Sequence, residues 1–264
     1  MEKGTRYVVE LEQQWLELNT DLERLCVGIL KRVAVPTSPP LEVAVRILRG
    51  FLLKAQRTLK GVNVLVAEEL WEQGEALTRV LFELRISFDF FVEMFRRDPA
   101  AAIVRVLDAM LLEKFRQVEA SGIFGHGLDL GDWERKVAGI RGRYTAQEFN
   151  RLRRYGFSGL SLEQRATSTG HVEAYQIVYR NFSRNIHSTD YAEHIGDGVV
   201  PGDRHDSYLH SRNIVILYVA YMAAAGIAEQ VNAVLNCHQE KAIEELALRH
   251  TTLKNASSDA GFLG

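Results

Sequence analysis

Near the middle of the chain, three side chains have types and spacing that suit phosphodiester chemistry. In the run Tyr179-Arg180-Asn181-Phe182-Ser183-Arg184-Asn185-Ile186-His187, the residues Arg180, Arg184 and His187 fall at i, i+4 and i+7. At about 100° per helical residue they share one face, while Val178, Phe182 and Ile186 take the opposite one. Two guanidiniums can hold a phosphodiester through charge-assisted hydrogen bonds. An imidazole titrates near neutral pH and can move a proton as general acid or base. Asn181 is the polar neighbour of Arg180. A solvated polar face near a helix C-terminus carries the same pattern, because positive charge there complements the helix dipole.

Other groupings compete for attention. Arg79 and Glu83 are i, i+4 neighbours on a helix face that also carries Ile86 and Phe90. An ion pair on so apolar a face must be matched and hydrogen-bonded to be tolerated. Its structural role is to fix helix register; its functional role would be to orient His187 or an arginine of the later helix. The stretch with His187, Asp190, His194, Asp197, Asp203, His205, Asp206 and His210 is dense in metal-ligand types. It has neither an HExxH pattern nor a cysteine cluster, so no metal is assigned and it reads as a solvated loop, with a metal-dependent hydrolase built on these residues as the least favoured alternative. Gly122, Gly125, Gly127 and Gly131 make no phosphate-binding loop, since no strand precedes them and no GK[ST] follows. Arg135, Arg141, Arg143, Arg151, Arg153 and Arg154 give a locally basic segment, interspersed with Asp132, Glu134 and Glu148. It suits an acidic partner or simply a solvated face.

These residues need helices to position them. Only five prolines occur in 264 residues, and Pro36, Pro39, Pro40 and Pro99 stand where helices should begin or end. Between them the apolar residues repeat with a period near 3.6, which predicts an all-α, multi-helix bundle. Val8, Leu11, Trp15, Leu18, Leu22, Leu25 and Leu30 make one stripe on a helix over 5–34. Further helices are expected over 41–59, stopping near Gly61, over 63–97, and from Asp98-Pro99 to about 120. A charged helix over 132–155, shorter ones over 161–169 and 171–187, and final helices over 207–250 with a break near Gly226 complete the set. The expected organisation is an N-terminal hairpin over 1–60, a main helical domain over 61–250 and a disordered polar tail over 251–264.

Composition bounds the function. Hydrophobic residues at 47% can fill a sizeable core, and a formal net charge of −2 gives no global attraction to nucleic acid or anionic lipid. Cys26 and Cys237 lie in apolar helical stretches and read as reduced thiols. No signal-peptide pattern opens the chain, and Ile214 to Ala228 is too short to span a bilayer. The expectation is therefore a cytoplasmic protein without a membrane segment or cofactor.

Two resemblances add to this. The run Ala76-Leu77-Thr78-Arg79-Val80-Leu81-Phe82-Glu83, followed by Asp98-Pro99, resembles the signature of a bacterial family catalogued as domain of unknown function 5677. Phe157-Ser158-Gly159-Leu160-Ser161-Leu162-Glu163-Gln164-Arg165-Ala166, then Tyr175, Tyr179, Phe182-Ser183 and His187-Ser188, is similar to that family's second half, with Phe157 where members often carry tryptophan. The resemblance covers about residues 45–220, and implies an all-helical fold without an established activity. Arg180-Asn181 with His187 also resembles the Rx4-6H motif of the higher-eukaryote-and-prokaryote nucleotide-binding (HEPN) helical domains, many of them metal-independent ribonucleases of stress and phage-defence systems. That resemblance implies Arg180 as phosphate and transition-state ligand, His187 as general acid or base, the RNA 2′-hydroxyl as nucleophile, and a homodimer with two motifs facing one cleft. The alternative is a non-catalytic helical module for a protein or nucleic-acid partner.

Overall fold

Long runs of helix formers punctuated by proline and glycine produce ten α-helices and one 3-10 turn, and no strand, among the described residues. The computed structural model describes residues 3–34, 38–122, 131–186 and 203–263; within these, the side chains of 3–5, 39–40, 121–122, 180–181, 183–186 and 203–208 are left out of the description. The helices are α1 (Lys3–Arg32), α2 (Pro39–Ala67), α3 (Trp71–Arg97), α4 (Pro99–Gly122), α5 (Gly131–Arg141), α6 (Ala146–Tyr155), α7 (Leu162–Ser168), α8 (Val172–Ile186), α9 (Asp203–Leu235) and α10 (Glu240–Asp259), with the 3-10 turn at Gly156–Ser158. The contacts divide the chain into two units, Met1–Arg85 with Glu173–Gly264, and Ile86–Val172. The division does not fall at residue 60.

In the first unit, α1 and α2 pack on each other and on α9, so they share its core rather than stand apart as a hairpin. The α1 stripe is buried as expected through Val8, Leu11, Trp15, Leu18, Leu22 and Leu25, and ends on Ile29 rather than Leu30. α2 runs on through Gly61 because its stripe continues: Leu59, Val62 and Val66 are all buried. The chain then turns at Glu69, a non-glycine residue at φ 59°, with the Leu70 amide donating to the Leu65 carbonyl. Periodicity predicts one helix over 63–97, and this turn breaks it. α9 is continuous through Gly226. The guanidinium of Arg85 lies against that position, its Nη1 1.0 Å from where a Cβ would stand, so the glycine makes room instead of ending the helix. Over Leu209–Leu235 this helix is long and apolar enough to cross a membrane, and 67% of that window is buried in protein. A helix with most of its apolar surface against protein fits a place in the core. The expected polar tail is largely helix: α10 reaches Asp259, Leu253 is buried, and buried Ser257 accepts a hydrogen bond from Trp15 Nε1 at 3.0 Å. Cys26 and Cys237 are both buried free thiols, and burial pushes Cys26 up to about 12.

In the second unit Asp98 caps α4, accepting from the Ala101 amide at 3.0 Å. The expected charged helix over 132–155 is two helices, because Thr145 opens α6 with a capping box shared with Glu148. Leu112, Ile140, Phe149 and Leu152 form a small core joining α4, α5 and α6. The 3-10 turn places Phe157 against Phe91, edge to face at 6.3 Å. Ser161 then opens α7 with a second capping box.

Candidate functional site

α8 forms as expected, and Val178 and Phe182 are buried. With those two on the core side, the 100° step puts positions 180 and 184 on the other side of the helix. The backbone of Arg180, Asn181 and Arg184 is helical; their side chains, and the whole of His187, lie outside the described residues.

The expected i, i+4 pair on α3 is present. Arg79 Nε donates to Glu83 Oε1 at 2.9 Å, with both residues partly buried and the Arg79 side chain the less exposed, at 13% against 37%. The pair also reaches α8. The Arg79 guanidinium lies 4.1 Å from the centre of the Tyr179 ring, a cation–π contact, and Tyr175 packs on Tyr179 at 5.0 Å. The Nη1 group of Arg79 is buried and has no hydrogen-bond partner among the described residues. A buried donor left unmatched is costly, and a ligand oxygen would satisfy it. Arg79 thus brings a positive charge to α8 at Tyr179, the residue before Arg180, with Glu83 holding its Nε edge.

Most of the His/Asp stretch is outside the described residues. His210 is the histidine of that set whose side chain is described, and it serves the interior: its Nδ1 donates to Glu12 Oε2 at 2.5 Å, while Asn213 donates to Glu12 Oε1 at 3.2 Å. Burial raises the Glu12 pKa above its ordinary value, against the pull of His210. No group of three metal-ligating side chains occurs among the described residues.

Three further polar pairings join residues far apart in the chain. Glu75, almost fully buried, receives Arg212 Nε at 2.5 Å and Nη2 at 3.2 Å, and Arg212 lies over the Trp71 ring at 4.1 Å. His171 pairs with Asp89 at 2.7 Å in the second unit, and Asp108 accepts from Arg143 and Tyr144. These partners are 35 to 137 residues apart in the chain, so no local spacing announces them. A signal does exist for the carboxylates. Glu12 interrupts the stripe of Val8, Leu11 and Trp15, and Glu75 stands three and seven residues before buried Thr78 and Phe82. A carboxylate on a buried stripe demands a partner.

A family model matches residues 45–198, more than half of the chain; its description is a family of unknown function, DUF5677. No curated protein and no solved structure matches.

Proposed function

Since the chain belongs to the DUF5677 family, whose function is not established, we propose on the geometry of α3 and α8 that it is a metal-independent ribonuclease of the HEPN type. The observation that carries this reading is the Arg79 guanidinium, paired with Glu83, stacked on Tyr179 and with a buried Nη1 that has no hydrogen-bond partner among the described residues. It adds a preorganised cation to the helix that bears Arg180 and Arg184. In this reading Arg180 and Arg79 bind the phosphodiester and take up the charge that grows on its oxygens. His187 removes the proton of the RNA 2′-hydroxyl, whose oxygen attacks the adjacent phosphorus. The bond to the 5′-oxygen breaks, leaving a 2′,3′-cyclic phosphate and, after protonation, a 5′-hydroxyl. Arg184 and Asn181 support the phosphate, and Glu83 orients Arg79. A homodimer bringing two α8 motifs to one cleft, a cytoplasmic setting and a role in bacterial stress or phage defence belong to the same proposal.

The purified chain should cut single-stranded RNA in excess EDTA and leave cyclic-phosphate ends. An EDTA-resistant cut that leaves 3′-hydroxyl ends, or no cut in any RNA pool, contradicts the reading. No cut with retained binding of a partner would instead make the chain a non-catalytic helical module.

A further inference from the structure

Between residues 131 and 155 the sequence has seven basic side chains against three acidic ones, in a chain whose formal net charge is −2. All seven are exposed. The acidic groups nearby are largely engaged. Asp132 holds Lys136 at 2.6 Å and Arg135 at 3.5 Å, Arg143 lies on Asp108, and Glu148 closes the Thr145 capping box. Arg153 stands 3.9 Å from Glu119. Arg141, Arg151 and Arg154, and Arg105 of α4, have no carboxylate within 4 Å among the described residues. Glu148 is the acidic group that Arg105 and Arg151 sense at longer range.

The guanidiniums are held in place. Arg141 lies over Phe149 at 5.3 Å and Arg154 over Tyr155 at 5.1 Å, which leaves their N–H edges available to an anion. Arg105 Nε donates to the Phe157 carbonyl at 2.6 Å. Its Nη2 sits 2.7 Å from where a Cβ on Gly159 would be, and Arg151 Cβ is 3.6 Å from the same point. Gly159, which follows the 3-10 turn, has φ +66°, a left-handed conformation that glycine adopts without strain. Beside Arg105 opens a cleft of about 550 Å³, with Met94, Ala102 and Val104 as apolar lining and Arg97, Arg105 and Tyr144 among its polar groups. That volume is within the usual range for a small-molecule pocket. The Tyr144 hydroxyl is tied to Asp108 at 3.0 Å, which fixes the ring.

We propose that the α4–α6 face of the second unit binds single-stranded RNA, with phosphates on Arg105, Arg151 and Arg154 and one base in the cleft beside Tyr144. Arginine with aromatic rings suits both phosphate and unstacked base, and a paired strand could not place a base in the cleft. The choice of RNA among polyanions rests on the ribonuclease reading; the anion-binding face does not.

The test is fluorescence anisotropy of the full chain with a labelled 12-nucleotide 2′-O-methyl RNA, which cannot be cleaved through its 2′-oxygen. In Arg151→Gln/Arg154→Gln, the Kd should rise roughly tenfold at low salt. The log–log salt slope should become shallower by about 1.4, as expected when two phosphates of a single strand go without their cations. Arg6→Gln/Arg24→Gln, at exposed positions of α1, should bind like the wild type. Absence of binding by the wild type, an unchanged slope in the α6 variant, or an equal loss in the α1 variant would each overturn the proposal. RNA that is bound through α6 but never cut would end the ribonuclease reading and leave the docking face. RNA that is cut with an unchanged KM in the α6 variant would end the docking face alone.

Discussion

In the first unit, Glu75 and Glu12 lie in the interior with Arg212, His210 and Asn213 closed around them, whereas in the second unit Arg141, Arg151 and Arg154 stand in solvent with no carboxylate within 4 Å among the described residues. Removing a partner from a buried pair leaves an uncompensated charge, so those groups hold the fold. Removing an exposed arginine changes little but the surface field, so those groups are free to serve a ligand. Arg79 shares features of both: it is paired and largely enclosed like the first set, yet its Nη1 has no hydrogen-bond partner among the described residues. That intermediate state is the reason the proposed site includes it.

Substitutions can break this comparison. The largest expected effect is Glu75→Ala, which removes the buried carboxylate that accepts from Arg212 and should cost about 3–5 kcal/mol in urea unfolding; a loss near zero would show that this ion pair adds nothing to the fold. Gly226→Ala forces the Arg85 guanidinium off α9 and should cost about 1–3 kcal/mol as overpacking does. Full stability in that variant would mean that Arg85 swings away freely.

A smaller effect, confined to acid, is expected at His250. Its ring stacks on Tyr221 at 4.7 Å and on Tyr218 at 5.7 Å, and burial, then Lys254, holds its pKa below the usual 6.5. The unfolded chain therefore takes the proton first. Stability is fully present above about pH 6.5 and falls as the pH drops through the lowered native value. His250→Phe keeps the stacking and removes the titration, so its Tm should fall less than that of the wild type between about pH 7.5 and about pH 5.5. Parallel falls would assign the acid sensitivity to other groups. The smallest effect is Arg141→Gln, whose stability should stay within about 0.5 kcal/mol of the wild type. A larger loss would make the basic face structural.

Helical periodicity makes most elements legible, because the α1 and α2 stripes and the buried face of α8 follow from local spacing. Breaks are harder to read. The turn after α2 and the one before α10 use left-handed Glu69, Asn236 and His238, so no glycine marks them. Conversely, Gly61 and Gly226 lie inside helices where neighbouring side chains approach. The Arg79–Glu83 pair is legible at i, i+4, but its contact with Tyr179 joins residues 100 positions apart and requires the fold. Glu12 and Glu75 can be flagged by their place on buried stripes, though not matched to His210 and Arg212.

In the proposed mechanism Arg180 and His187 act together on an RNA phosphodiester. Single-turnover cleavage of a labelled single-stranded RNA in EDTA tests it most directly, with thermal unfolding of each variant recorded alongside. The expected result is that Arg180→Ala and His187→Ala each abolish cleavage while their Tm values stay at the wild-type level. Cleavage at the wild-type rate by either variant would contradict it.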